Sequence, residues 1–257
     1  MARPSNRAST RQQLVEQGIA SLRAEGLTVG LDSVSLERAY ADAGVARSTA
    51  YSAWTDASEG RSPQESFRRA VLQEILENPV HENDFGNTTD ALAALDLSGL
   101  DGTPEQRRAT FREMIRVGAA TNLRTIVESW RWPIISALHS SLASVPEQER
   151  DQELMASLRR NNEIQMDIVI AEVYGPYLSL ARKRARLSIE GGDTMRSFAI
   201  AAAALAEGFA PKHIYDPTSP GCVDHYIDDD PRAWSLFGLG IEALIDYFFE
   251  DIPEDEQ

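Results

Sequence analysis

Apolar side chains recur at intervals of three and four residues along most of this chain, the spacing that lines one face of an α-helix. Near the start, Leu14, Val15, Ile19 and Leu22 follow this spacing and predict a first amphipathic helix. The sequence shows neither strand-like alternation bounded by turn residues nor an internal repeat. We therefore expect an all-α fold.

Prolines and glycines divide the later part of the helical pattern into segments, because both residue types end or bend helices. After residue 61 we predict a helix from Pro63 to Asn78, followed by a polar loop with one short helix over 79–103. A helix then runs from Thr103 until Pro133 breaks it, and another runs from Pro146 with a kink at Gly175-Pro176. Two final helices are predicted over 194–209 and 232–250.

Two short helical patterns joined by a glycine follow the first predicted helix. Leu36, Ala39 and Tyr40 share one face of the first pattern. Ser35 is placed to cap this helix, because its hydroxyl can accept a hydrogen bond from a free backbone N–H of the first turn. Gly44 stands where the helix must stop, and glycine tolerates the left-handed conformation of a C-terminal cap.

The second helix of this pair carries polar residues at its start and apolar ones on its other side. Arg47, Ser48 and Thr49 occupy the N-terminal end, the part of a recognition helix that reaches base edges and phosphates in the major groove. Ala50 and Trp54, four residues apart, are expected to hold the helix against the core. The pattern predicts a helix-turn-helix that contacts DNA.

The stretch from Gly44-Val45 to Tyr51 and Trp54 resembles the DNA-binding domain of the TetR (tetracycline-repressor) family. That family combines an apolar first helix, a Gly-Val turn, and a recognition helix ending in Tyr-x-x-aromatic. We expect Val45 to be buried in the turn. The Tyr51 phenol is long enough to contact a backbone phosphate, which fixes register without reading sequence. The resemblance implies an N-terminal arm and three-helix DNA-binding domain over 1–61, followed by a larger helical effector-binding and dimerisation domain over 62–257.

The residues expected to contact DNA are Ser35, Arg47, Ser48, Thr49, Tyr51 and Arg61. Arg61 is the nearest basic residue to the position where the family has one after the recognition helix. Ala46, Ala50 and Ala53 depart from the family pattern, which has a capping Ser or Thr, a larger apolar residue and often a His there. The base preference therefore stays open.

Charge is distributed unevenly along the 257 residues, whose formal net charge is −15. Residues 1–70 contain nine arginines and eight acidic residues, whereas the remainder contains 16 basic and 32 acidic residues. The acidic excess therefore lies outside the predicted DNA-binding end, and a protein that coats nucleic acid through a basic surface is excluded. Arg3, Arg7 and Arg11 suggest a flexible basic arm before or at the start of the first helix, either lying along DNA or merely solvated.

The last two predicted helices carry more apolar surface than one helical domain readily buries. Ordinary core packing is one interpretation. The family resemblance implies another, a four-helix interface between two copies that would present two recognition helices to a palindromic operator. The expected interface residues are Phe198, Leu205, Phe209, Trp234, Phe237, Ile241, Leu244, Ile245 and Phe248.

The N-terminal segment lacks the apolar core of a signal peptide, so a cytoplasmic protein is expected. The resemblance also implies a ligand-responsive repressor, whose small-molecule effector binds the released conformation better than the DNA-bound one. Side chains with apolar bodies and polar ends on the middle helices are the candidates for its pocket, and each is also a plausible core residue. They are Trp130, Trp132, His139, Met166, Tyr174 and Tyr177.

The sequence offers no phosphate-binding glycine loop, nucleophile elbow or paired-histidine metal motif, so neither an enzyme nor a cofactor is expected. Asp228 to Asp230 beside His225 could suggest a metal site, but consecutive aspartates rarely converge on one ion, and none is predicted. No apolar run reaches the roughly 18 residues of a membrane span. The alternative to a regulator is a helical enzyme or protein-binding module in which the helix-turn-helix is only a packing unit.

Overall fold

The computed structural model describes residues 6–26, 34–55, 60–77, 86–186, 192–218, 225–226 and 232–253. Over these ranges the chain is mostly helical, in agreement with the predicted all-α class. The helices are, in chain order, α1 (Asn6–Glu25), α2 (Leu36–Asp42), α3 (Arg47–Ala53), α4 (Pro63–Glu77), α5 (Gly86–Ala93), α6 (Pro104–Glu128), α7 (Arg131–Ser144), α8 (Gln152–Val169), α9 (Gly175–Leu180), α10 (Thr194–Tyr215) and α11 (Leu236–Phe248).

The remaining regular elements are short. Turns of 3-10 helix lie at Ser98–Asp101 and Glu147–Glu149, and a π-helical turn, Ile170–Tyr174, joins α8 to α9. The two antiparallel strand pairs are β1 (Lys183–Ala185) with β4 (Phe249–Asp251), and β2 (His225–Tyr226) with β3 (Ala233–Trp234).

Helix α6 starts where its sequence predicts. The Thr103 hydroxyl accepts a hydrogen bond from the Gln106 backbone N–H, and the Gln106 side chain accepts one from the Thr103 N–H, so the two residues form a capping box. Its end is not at Pro133, because α6 stops at Glu128 and a new helix begins at Arg131. Pro133 lies in the first turn of α7, where a missing N–H breaks no intrahelical bond.

The predicted helix after Pro146 also begins later than expected. A 3-10 turn follows that proline, and α8 starts at Gln152. The Asp151 carboxylate accepts hydrogen bonds of 3.1 Å from the backbone N–H groups of Glu153 and Leu154. The aspartate therefore satisfies the free donors of the first turn, which the proline cannot do.

The chain divides into two compact units, residues 1–81 with 130–162 and residues 82–129 with 163–257. This division differs from the predicted boundary after residue 61. In the first unit, buried Arg131 donates from Nη2 to the Ile75 carbonyl at 2.7 Å, and buried Asn161 donates to the Leu76 carbonyl at 2.9 Å. These carbonyls lie in the last turn of α4 and have no partner within their own helix, so both bonds join the 130–162 segment to α4.

The core of the first unit is built where α1 meets α4. Leu14, Leu22, Phe67 and Val71 are fully buried, as the predicted amphipathic patterns require. Gly18 makes the close approach of the two helices possible, because a Cβ there would lie 2.6 Å from Val71 Cγ2. Each buried side chain of this size contributes about 2 kcal/mol to folding.

In the second unit, α6 packs against α5, α10 and α11. Buried Ala199, Ala202 and Ala206 form one stripe on α10, where the alanine run predicts close helix approach. Arg112 of α6 donates to Glu242 of α11 at 2.5 Å and lies 5.1 Å above the ring of buried Trp234. No helix in the described part of the chain is both long and apolar enough to cross a membrane.

Candidate functional site

The pair α2 and α3 is joined by a tight turn that its sequence defines. The Ser35 hydroxyl caps α2 by accepting from the Arg38 backbone N–H at 3.4 Å, as predicted. Gly44 has φ +65°, and its N–H donates to the Ala41 carbonyl at 3.2 Å, while the Val45 N–H donates to the Tyr40 carbonyl at 2.9 Å. These two bonds form a Schellman motif, which ends α2 and redirects the chain into α3.

The two faces of α3 have opposite environments. Ala50, Ala53 and the following Trp54 are buried, and the Trp54 ring packs against the Phe67 ring of α4 with 5.8 Å between centroids. The prediction that Ala50 and Trp54 hold this helix against the core is confirmed. Val45, in the preceding turn, is only partly buried but packs against the same core.

The outward face of α3 begins with three exposed polar residues, Arg47, Ser48 and Thr49. The Arg47 guanidinium lies 5.4 Å from the centroid of the Tyr51 ring, and that ring lies 6.4 Å from the ring of Tyr40. Tyr51 is partly buried. The arginine and the phenol thus support each other at one edge of the exposed face.

The carboxyl end of α3 is bound by arginines of α1. Arg7 and Arg11 each donate from Nε to the Ala53 carbonyl, at 3.3 and 2.5 Å, and the Arg11 guanidinium lies 5.0 Å from the Trp54 ring centroid. Both arginines lie in the first two turns of α1, which agrees with a position at the start of the first helix, but their bonds to Ala53 contradict the expected flexibility. The free carbonyls at a helix end attract cations, which explains the contact. Arg3 lies outside the described residues.

Arg61 precedes α4, where its guanidinium lies 4.0 Å from the Asp151 carboxylate. The same carboxylate forms an ion pair of 2.8 Å with Arg69 of α4. Arg61 therefore faces an acidic partner of its own unit, a contact that its position in the sequence does not predict.

A cavity of about 80 Å³ lies within the second unit, between α5, α6, the π-helical turn, α9, α10 and α11. Its wall is almost wholly apolar, and among the described residues none that lines it is acidic, basic or a histidine. The polar groups at the wall are the side chains of Thr88, Asn122, Tyr174 and Tyr177. The cavity therefore suits an uncharged molecule, because an isolated charge would lose its hydration there.

Thr88 is the most unusual group of this wall. Its side chain is 2% exposed, and its hydroxyl has no hydrogen-bond partner among the described residues. Leu92, one helical turn further along α5, also lines the cavity and packs closely over Gly118 of α6. A buried hydroxyl without a partner costs about 1 to 3 kcal/mol, so this one is a candidate contact for a bound molecule.

Tyr174 ends the π-helical turn, and its ring meets the Phe198 ring edge-on with 4.8 Å between centroids. Burial raises the pKa of the Tyr174 phenol to about 12, so this group stays neutral at physiological pH. Burial also raises the pKa of the Tyr177 phenol. π-helical turns within α-helices are frequent at functional sites.

Of the predicted pocket residues, only Tyr174 and Tyr177 line this cavity. Trp130, Trp132 and His139 belong to the other unit, where Trp130 packs against the core beneath Arg23 and His139 is exposed. Met166 is partly buried but outside the wall. Aromatic density in the sequence does not reveal which unit a helix joins. Thr88 was missed because its segment was expected to be mostly loop, although its spacing to Leu92 is helical.

The predicted dimer residues lie mostly in the core of the second unit. Buried by their own chain are Phe198, Trp234, Phe237, Ile241, Ile245 and Phe248. Partial exposure remains at Leu205, Phe209 and Leu244. The six buried residues therefore agree with the interpretation of ordinary core packing. Phe198, for example, is covered by the rings of Tyr174, Phe248 and Phe249 of its own chain.

No cluster of three or more metal-ligating side chains occurs in the ranges that the structure describes. The predicted absence of a metal at Asp228 to Asp230 concerns residues outside those ranges. No family model matches the chain, and no curated protein matches it in sequence.

Proposed function

We propose that this chain is a DNA-binding transcriptional regulator, a ligand-responsive repressor that acts as a homodimer on a palindromic operator. The observation that carries the proposal is the two-faced helix α3. Its inner side, Ala50 and Ala53, is buried against a core, while its N-terminal side chains Arg47, Ser48 and Thr49 are exposed after a Schellman turn. A helix held in this way can enter the major groove with its first turn toward the bases.

In this proposal the polar side chains of α3 have separate roles. Arg47, Ser48 and Thr49 contact base edges or phosphates, and the Tyr51 hydroxyl contacts a phosphate. The Arg47 guanidinium lies 5.4 Å from the Tyr51 ring centroid, and this contact restricts the side chain before it binds. The arginine therefore loses less conformational entropy when it contacts DNA. Because the acidic excess lies outside residues 1–70, non-specific attraction to DNA is weak and binding depends on this surface.

The test compares DNA binding by Arg47→Ala, Tyr51→Phe and the matched control Arg159→Ala, whose arginine is exposed on α8. The probe is the DNA immediately upstream of the protein's own gene, titrated by fluorescence anisotropy at several salt concentrations. We expect Arg47→Ala to weaken binding about tenfold and to lower the salt slope by about one, with Arg159→Ala unchanged. The proposal is refuted if all variants bind equally or if the wild type shows no salt-dependent binding. Either result favours the alternative in which the helix-turn-helix is only a packing unit.

The homodimer in this proposal uses the outward faces of the last two helices rather than their buried stripe. On α10 these are Ile200, Ala204 and Gly208, and on α11 Ala243 and Tyr247, all exposed. Ile200 and Tyr247, 56% and 63% exposed, supply the large side chains of this face. The small residues between them would let a second copy approach closely.

Gly208→Glu tests this interface, because a Cβ at Gly208 meets no atom within 4 Å in the single chain. The matched control is Ala156→Glu at an exposed position of α8. Multi-angle light scattering is expected to show a dimer for the wild type and the control, and a monomer for Gly208→Glu. A wild-type monomer, or a Gly208→Glu dimer, would rule out this face as the interface.

A further inference from the structure

We propose that the cavity of the second unit binds a small uncharged molecule that is mostly apolar and carries one hydrogen-bonding group, such as a ketone or an alcohol, which pairs with the Thr88 hydroxyl. The role of this molecule as the effector rests on the proposed function. Its binding in the cavity does not, since it depends only on the residues of the wall.

The composition of the wall excludes charged ligands. None of the described residues that line it provides an ammonium, guanidinium, imidazole or carboxylate group to pair with a ligand ion. The phenol of Tyr174, whose pKa burial raises to about 12, also remains uncharged. A carboxylate or ammonium entering this space would lose its hydration without compensation. A neutral apolar body loses nothing comparable and gains contacts with the surrounding aliphatic and aromatic side chains.

Two groups fix where the polar atom of the ligand lies. The Thr88 hydroxyl is buried and without a partner among the described residues, so it can donate to a carbonyl or accept from a hydroxyl. Asn122, on α6 one turn beyond Gly118, lines the same cavity with an amide that can do either. The pairing relieves the unsatisfied state of Thr88, which an apolar ligand leaves unchanged.

The volume limits the size of the ligand. An apolar cavity of about 150 Å³ accommodates benzene, and this cavity has about 80 Å³. Because this volume is about half of that, the match for this conformation is a compact molecule of roughly three to four non-hydrogen atoms.

The experiment uses three probes of four non-hydrogen atoms each: acetone, isobutene and acetate. Acetone and isobutene have nearly the same shape and differ in a carbonyl oxygen against a methylene group. Acetate has a similar size and carries a charge. Saturation-transfer NMR titrations measure each dissociation constant on the full-length protein, its Thr88→Val variant and the control Thr125→Val. Thr125 lies on α6 outside the cavity wall, and its hydroxyl already donates to the Thr121 carbonyl at 3.0 Å.

We expect the wild type to bind both neutral probes and to exclude the carboxylate. In Thr88→Val the ratio of the ketone dissociation constant to that of the alkene rises about two- to tenfold, the value of one neutral hydrogen bond. Because the two probes are hydrated in the same way in every titration, comparing this ratio between variants cancels the difference in their hydration. Thr88→Ser restores the wild-type ratio, and Thr125→Val leaves it unchanged.

Thermal denaturation of the ligand-free variants gives an independent readout. Thr88→Val raises the melting temperature, because it removes a buried hydroxyl that lacks a partner, whereas Thr125→Val lowers it. The proposal is overturned if the carboxylate binds as tightly as the ketone, if the wild type binds neither neutral probe, or if Thr88→Val leaves the ratio unchanged. Because these titrations contain no DNA, their failure is distinct from failure of the anisotropy test of DNA binding.

Discussion

Arg11, in the second turn of α1, donates a hydrogen bond of 2.5 Å from Nε to the carbonyl of Ala53, the last residue of α3. Arg7, one turn earlier, donates to the same oxygen at 3.3 Å. Two cations thus meet the negative end of the exposed helix, and one of them also covers the Trp54 ring. Such contacts hold α3 at a fixed angle to α1 within their unit.

Arg11→Ala removes a charge-assisted hydrogen bond and the contact with Trp54. We expect it to lower the free energy of unfolding by about 1 to 3 kcal/mol, measured by urea denaturation. Arg108→Ala is the matched control, because its arginine forms an exposed pair with Glu105 in the same helix and the change should stay within about 0.5 kcal/mol. Equal stability of the two variants would show that the Ala53 contact contributes nothing.

Contacts close in sequence could be predicted, whereas those between distant segments could not. The caps at Ser35 and Thr103 and the left-handed Gly44 all follow from bonds that span no more than five residues. The bond from Arg11 to Ala53 spans 42 residues, and no local pattern shows that an arginine near the chain start will meet a helix end. The predicted arm failed for this reason.

The same limit applies to the candidate cavity. An apolar stripe on α11 predicts that Phe237 and Ile241 are covered, but it does not say whether their own chain or a second copy covers them. Trp130 and Tyr174 look alike in sequence as amphipathic aromatic residues, yet only Tyr174 reaches the cavity. The two compact units divide between Trp130 and its neighbour Ser129, and this division follows from packing rather than composition.

Gly18→Ala is expected to destabilise the first unit by about 1 to 3 kcal/mol, because the added methyl would overlap Val71 of α4 and press against the Phe67 ring. Both side chains are fully buried, and the branched Val71 side chain has few alternative rotamers. Thermal and urea unfolding followed by circular dichroism measure the change. A stability equal to or above that of the wild type would contradict the close approach of α1 and α4 at Gly18.

Gly44→Ala tests the left-handed turn between α2 and α3. A Cβ there meets no atom within 4 Å, so the cost arises from φ +65° alone and should be about 1 kcal/mol. Gly44→Asn is the matched comparison, because asparagine tolerates the left-handed conformation better than alanine and should lose less stability. Both melts are run at one protein concentration, because dimerisation would make the melting temperature depend on it. A loss in Gly44→Asn as large as that in Gly44→Ala would contradict the assigned turn.

Tyr174 should make the stability of the protein depend on alkaline pH. Its phenol has a pKa of about 12 in the folded chain, against 10.0 for the free group, so folding favours the protonated form. This contribution is fully present below pH 10 and is lost as the pH rises toward 12, because the unfolded chain releases a proton that the folded chain retains.

The full loss, complete above pH 12, amounts to about 3 kcal/mol. Absorbance at 295 nm should show a late-titrating tyrosine in the wild type that Tyr174→Phe removes. Tyr215→Phe, at a side chain that is 85% exposed, should leave that late step in place. Urea unfolding at pH 9 and pH 11 then measures the difference between the variants, and Tyr174→Phe should lose less stability over this interval than the wild type. Equal losses, together with an unchanged late step, would show that the Tyr174 phenol is in contact with water rather than enclosed beside the cavity.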